Sequence, residues 1–114
     1  MAASGKLCII WSSADRDVAL SMVFMYAKNS RLQGWWDHVL LVVWGPSAKL
    51  LAEDKGLQAE LEDLKAAGVE LQACKACAAM HGVVDELTDL GVDVIYMGAP
   101  LTEMLKTSWH VLTF

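Results

Sequence analysis

Val69-Glu70-Leu71-Gln72-Ala73-Cys74-Lys75-Ala76-Cys77-Ala78-Ala79-Met80-His81-Gly82-Val83-Val84-Asp85 is the stretch whose reading decides the fold. Val69, Leu71 and Ala73 alternate with polar neighbours, the period of a strand; from Cys74 the apolar positions Cys77, Met80, Val84 and Leu87 follow at helical spacing. The period changes on Cys74, which predicts that a strand ends and a helix begins there. At a helix start the first N–H groups lack intrahelical partners and the macrodipole is positive, and both favour a thiolate over a thiol. Lys75 adds a cation next to it.

Plainer readings stand beside this one. Cysteine is among the most commonly buried residue types and is usually inert. Its place at a strand-to-helix junction weighs the other way, because ligand and catalytic groups of open α/β sheets gather at the carboxyl ends of strands. The Cys74-x-x-Cys77 spacing also fits a dithiol redox pair or half of a metal site. A structural zinc needs four ligands, and the chain has no second C-x-x-C or H-x-x-x-H pair, so no metal is expected. His81, four residues after Cys77, is placed on the same helix face, where a lone histidine is more often a surface side chain.

The 114 residues fit a single domain spanning 1–114. A chain of this size buries about two-thirds of its extended surface, enough for one core without staples. Three cysteines, an odd number, suit a reducing cytosol better than a disulfide framework. Met1 to Lys6 is a short small-residue lead into a strand, with neither the basic flank nor the long apolar region of a signal peptide. Apolar runs such as Val39 to Trp44 are far too short to span a bilayer. The expectation is a cytoplasmic protein with no membrane partner.

The formal charge is −5, acidic residues gather in Glu53–Glu70 and Asp85–Asp93, and no Lys/Arg cluster exists. Nucleic-acid binding needs a basic stripe that releases counterions, so direct binding is not expected. Hydrophobic residues make up 55% of the chain and include five tryptophans. Surplus apolar surface of that kind points to a homo-oligomer interface.

Along the chain, Lys6–Trp11 is a continuous apolar run, the mark of a strand covered on both faces, and Cys8 inside it reads as packing. Ser12-Ser13-Ala14-Asp15 offers N-caps for a helix to about Leu32 that is apolar almost all round. Such a helix is buried on two sides, with Met22, Phe24 and Met25 in the core or at an interface. A second strand, His38–Trp44, precedes a Gly45-Pro46-Ser47 turn and a helix broken near Lys55-Gly56 that stops at Gly68. Glu60, Glu62, Asp63 and Lys65 give its second half a solvated face. The helix begun at Cys74 runs to about Leu90, and a strand Val92–Met97, a short helix after Gly98-Ala99-Pro100 and a strand Trp109–Phe114 complete the order. Strands alternating with helices predict a three-layer α/β/α fold with a mostly parallel five-stranded sheet. Its strand-to-helix loops emerge at one edge and hold Ser12/Ser13, Gly45/Ser47, Cys74/Lys75 and Gly98/Ala99: a small pocket with one strong nucleophile. There is no carboxylate pair, Ser-His-Asp pattern, G-x-G-x-x-G or P-loop, so no nucleotide cofactor is expected.

The run Val69 to Cys74, with Gly82-Val83-Val84-Asp85-Glu86 after it, resembles the cysteine segment of the DsrE/DsrF-like family, including the TusD-type sulfur carriers. The strand-Ser-Ser-Ala opening, Trp44-Gly45-Pro46-Ser47-Ala48-Lys49-Leu50-Leu51 and the ending His110–Phe114 extend the likeness over essentially the whole chain. The resemblance implies that Cys74 accepts sulfane sulfur as a persulfide and passes it on, with sulfur donor and acceptor proteins as partners and a trimer or hexamer as the assembly. Two departures stand out. His81 occupies a position where relatives often have arginine, and Cys77 one where sulfur-relay members can have alanine. Cys77 opens a dithiol alternative, in which it resolves a persulfide on Cys74, releases sulfide and leaves a disulfide. A scaffold without chemistry is the third reading. The site expected from all this is Cys74 and Cys77, in a pocket with Ser12, Ser13, Gly45, Lys75, His81 and Gly98.

Overall fold

Strands β1 (Lys6–Trp11) and β2 (His38–Val43) pair in parallel, from Lys6 opposite His38 to Trp11 opposite Val43, at the centre of a computed structural model that describes residues 5–114. Of the lead read over Met1 to Lys6, residues 1–4 lie outside the described residues and Lys6 already opens β1. Both strands are covered on both faces, which is why they are apolar without alternation. Strands β3 (Glu70–Cys74) and β4 (Asp93–Ile95) extend the sheet beyond β2, and β5 (Trp109–Thr113) pairs with the other side of β1. The order is β4-β3-β2-β1-β5 and every pairing is parallel, so the expected mostly parallel sheet is wholly so.

This order decides how the two faces are covered. From β1 to β4 the chain steps one strand at a time in one direction, and right-handed crossovers then fall on one face. The step from β4 to β5 returns across the whole sheet, so its helix lies on the other face. On the first face lie α1 (Arg16–Val18), a π-helical segment (Ala19–Phe24), α2 (Met25–Leu32), α3 (Ser47–Glu53), α4 (Lys55–Ala67) and α6 (Val84–Asp89). They close a core in which Leu7, Ile9, Trp11 and Leu41 meet Phe24, Leu57, Leu61 and Leu87. The second face is crossed by α7 (Gly98–Lys106), whose Met104 and Leu101 sit over Cys8, Leu40 and Val42. Helix α5 (Lys75–Met80) straddles the two, with Ala78 in the first core and Cys77 against the second.

Three elements depart from expectation. The first long helix starts at Arg16, where Asp15 Oδ1 accepts from the amides of Asp17 (2.8 Å) and Val18 (3.3 Å). Ala19, Val23, Phe24 and Ala27 are buried, and Phe24 meets Trp11 edge-to-face at 5.0 Å between ring centres. Met22 and Met25, expected in the core or at an interface, are 48% and 54% exposed, so they lie outside the core and the single chain leaves the interface alternative as it was. The second departure is the helix expected from Cys74 to Leu90, which is two helices. Gly82, at φ 68°, ends α5: the Gly82 amide bonds to Ala79 O (3.1 Å) and the Val83 amide to Ala78 O (2.8 Å), a Schellman closure. Val84 and Leu87 therefore belong to α6 and do not continue the Cys77 face. Third, β4 covers only Asp93–Ile95 of the expected Val92–Met97, because its partner β3 ends at Cys74 opposite Ile95 and the Val92 amide bonds back to Leu87 O (3.1 Å).

The break between α3 and α4 falls at Asp54, whose carboxylate caps the Leu57 amide (3.0 Å) and accepts from Arg16 Nε (2.8 Å). Those two bonds hold its carboxyl below the usual range. Leu57, Leu61 and Leu64 then recur at helical spacing and are almost fully buried, each contributing about 1.5–3 kcal/mol of transfer free energy. Glu62 and Asp63 face solvent, as expected. Among the described residues no helix is long and apolar enough to cross a membrane.

Candidate functional site

Cys74 is the last residue of β3 and the residue from which α5 springs, with extended backbone (φ −70°, ψ 115°). Strand alternation turns Leu71 and Ala73 to the first face and Cys74 to the second. There it shares a cluster with Cys8, Leu40, Val42, Met97 and Met104, and Trp44, Ile95 and Leu101 pack around them. Cys74 is 5% exposed. At Cys74 the small pocket expected at this rim is lined from α7: the returning crossover brings Met97, Leu101 and Met104 into the same cluster. The sulfur does not cap the helix, for the first turn of α5 makes no side-chain capping bond with Cys74.

Cys77, one helical turn on, is half-buried against the same cluster. Burial pushes its thiol above the ordinary value; a hydrogen bond to Cys74 and repulsion from a Cys74 thiolate push the same way, while the Gly45 amide opposes them. Gly45 brings that amide to the sulfur through a left-handed backbone (φ 79°) that turns the chain out of β2. The following residues anchor the turn on β1: Ser47 N bonds to Ser12 O (3.2 Å) and Ser47 Oγ donates to Trp11 O. Cys8, in the middle of β1, is fully buried, and burial raises its thiol to about 11, which suits the packing role read for it. All three thiols are free.

The other expected pocket residues do not converge on the thiols. Ser12 donates its hydroxyl and its amide to Phe114 O (both 2.8 Å), tying the end of β5 to the loop after β1. Ser13 Oγ accepts from the Asp15 amide (3.0 Å) and so shapes the start of α1. Lys75 is exposed, with its ammonium 5.3 Å from the ring centre of Tyr96. His81 lies on the first-face side of the rim, in a cavity of about 210 Å³ with Ala14, Pro46, Lys49, Leu50 and Glu53. Gly98 opens α7 with free space over its Cα and accepts from Thr102 Oγ1 (2.8 Å). Of the six, Gly45 is the one whose amide bears on a thiol, that of Cys77. Sequence reasoning missed Met97, Leu101 and Met104; their signal was the strand order, from which the face of the last crossover follows. Among the described residues no three His, Cys, Asp or Glu side chains gather as metal ligands would.

A wholly parallel α/β sheet with a vicinal thiol pair at its carboxyl rim, one thiol covered and one half-open, defines a class of small thiol-bearing α/β proteins. Comparison with known proteins makes the class particular: the chain belongs to the DsrE/DsrF-like family, which it matches over residues 6–114. Among solved structures it is similar to the conserved protein of unknown function BT1422 from Bacteroides thetaiotaomicron, with 40% identity, 100% of this chain and 98% of that one covered, and a TM-score of 0.94. The ychN protein from E. coli (22% identity, 96% and 99% covered, TM-score 0.74) shares the fold. So does MTH1491, a protein of unknown function from Methanobacterium thermoautotrophicum (20% identity, 97% and 100% covered, TM-score 0.74). No curated protein matches the sequence.

Proposed function

We propose that the protein handles sulfane sulfur and that Cys74 holds it as a persulfide for transfer to an acceptor thiol. The observation that carries this reading is the position of Cys74, at the strand-to-helix junction with Cys77 one turn away, in a chain of the DsrE/DsrF-like family. The surroundings suit the task. A persulfide is easily lost to reductants in water, and a sulfur enclosed by Met97, Met104 and Val42 is shielded from them. Transfer begins when a thiolate attacks the outer sulfur of a donor persulfide and displaces the donor thiolate; it ends when an acceptor thiolate takes the same sulfur and frees Cys74. Neither step is a net redox change. The partners in this scheme are donor and acceptor proteins in the cytoplasm. Exposed Met22, Met25, Leu32, Trp35 and Leu112 support assembly as a homo-oligomer; a trimer or hexamer is the form the family resemblance implies.

The test is intact-mass measurement after exposure to inorganic tetrasulfide, with peptide mapping under conditions that preserve persulfides. One added sulfur mapped to Cys74 is the expected result, and a map without sulfur on Cys74 rejects the proposal. The dithiol reading uses the same pair and is favoured by the closeness of Cys77. It predicts that the same treatment yields sulfide and a Cys74–Cys77 disulfide in place of a stable persulfide.

A further inference from the structure

We propose that sulfane sulfur enters this site at Cys77 and is passed from there to Cys74, so that the half-open thiol is the receiver and the covered thiol the holder. The inference rests on the reading of Cys74 as a persulfide carrier and adds the route by which the sulfur arrives.

The argument is one of access. Cys74 is 5% exposed and roofed by the residues of α7, so a donor bulkier than a small polysulfide ion does not reach its sulfur without displacing that roof. Cys77 is half-buried on the first turn of α5, packed on the same cluster and in contact with the solvent side of it. Cys77 lies one helical turn from Cys74 and packs on the same cluster, so an exchange from one to the other needs no large movement. The Gly45 amide favours negative charge on the Cys77 sulfur, against the burial that disfavours it. That is the charge Cys77 bears when it attacks a donor and again when it leaves.

Each step balances. The Cys77 thiolate attacks the outer sulfur of a donor persulfide R–S–SH; the donor S–S bond breaks, R–S⁻ departs and takes up the proton that Cys77 released, and Cys77–S–SH forms. The Cys74 thiolate then attacks that outer sulfur; the new bond gives Cys74–S–SH, and Cys77 leaves as a thiolate and is reprotonated. No electrons are gained or lost overall. Burial raises the Cys77 thiol, so its thiolate fraction, and with it the first step, grows as pH rises.

The experiment compares two donors, glutathione persulfide and inorganic tetrasulfide, on the full chain, with rapid alkylation, intact mass and peptide mapping over time. With glutathione persulfide, wild type shows sulfur on Cys77 before Cys74; Cys74→Ser retains it on Cys77; Cys77→Ser loads Cys74 on the order of tenfold more slowly, since exchange rates follow access. With tetrasulfide the Cys77→Ser deficit is within about threefold, which shows that this variant is folded and Cys74 competent. Equal loading of Cys74 in wild type and Cys77→Ser by glutathione persulfide overturns the entry role and leaves Cys74 as the carrier. Absence of sulfur on Cys74 with either donor, in wild type, removes the carrier reading itself.

Discussion

The two faces of the sheet differ in thickness and in chemistry. The first is buried under α1 to α4 and α6 and holds side chains of one kind: Leu7, Ile9, Trp11, Leu41, Leu57, Leu61 and their neighbours. The second lies under α7 and one side of α5, and mixes Cys8, Cys74 and Cys77 with Met97, Met104 and Trp44. One strand can serve both because alternate residues of β3 point opposite ways: Ala73 closes the thick core and Cys74 enters the thin one. The difference teaches where such a fold keeps stability and where it keeps reactivity. A thick, interlocked layer transmits any loss of volume into the whole domain, whereas a layer one helix deep is opened locally.

The sharpest way to break that contrast is a truncation in the thick face. Leu61 is fully buried in the middle of α4. Leu61→Ala is expected to lower unfolding free energy by about 2–5 kcal/mol, read from urea melts, without changing the alkylation rate of Cys77. A loss below about 1 kcal/mol would mean that this layer yields as easily as the thin one.

The thick face is also the one that the sequence shows most clearly. The apolar runs of β1 and β2, the leucine spacing of α4 and the Gly68 stop each report a local cause, burial on two faces or a left-handed cap, and the structure has them. The junction at Cys74 was legible for the same reason, since the change of period is local. The cover over Cys74 was not, because it depends on which edge of the sheet receives β5, a fact no stretch of residues states. Ser12 and Ser13 show the same limit from the other side. Their place after β1 suggested a pocket, but the Ser12 hydroxyl answers Phe114, 102 residues away. The break at Gly82 was readable: Met80-His81-Gly82-Val83 has glycine at the left-handed position of a Schellman closure, and the apolar spacing of Val84 and Leu87 masked it.

A second prediction concerns the boundary between the faces, Cys8 in the central strand. Its thiol is raised by burial from an ordinary value of 9.0 to about 11. Above pH 9 the unfolded chain releases this proton while the folded chain keeps it, so the unfolded state binds fewer protons and stability falls as pH rises, levelling off above 11. The expected loss specific to Cys8 is roughly 2–3 kcal/mol between pH 9 and 11. It is measured as the difference in denaturation free energy between wild type and Cys8→Ala along that range, which cancels the titration of tyrosine and lysine. Parallel pH curves for the two proteins would show that water reaches the Cys8 sulfur and that the thin face does not seal it.

The smallest expected change in stability comes from the roof itself. Met104, 7% exposed on α7, packs over the cluster that contains Cys74, and an unbranched side chain on a surface helix leaves a space its neighbours fill in part. Met104→Ala is expected to lower unfolding free energy by about 2 kcal/mol or less, at or under the floor for core truncations. The same variant should speed alkylation of Cys74 by iodoacetamide several-fold at constant pH while leaving Cys77 unaffected, because only the covered thiol gains access. The pair of readouts separates the two faces cleanly: Leu61→Ala costs more stability and moves no thiol, Met104→Ala costs less and uncovers one. Were Met104→Ala to leave Cys74 as slow as in wild type, α7 would not be what closes the site, and the shielding that the persulfide reading relies on would have to come from other residues.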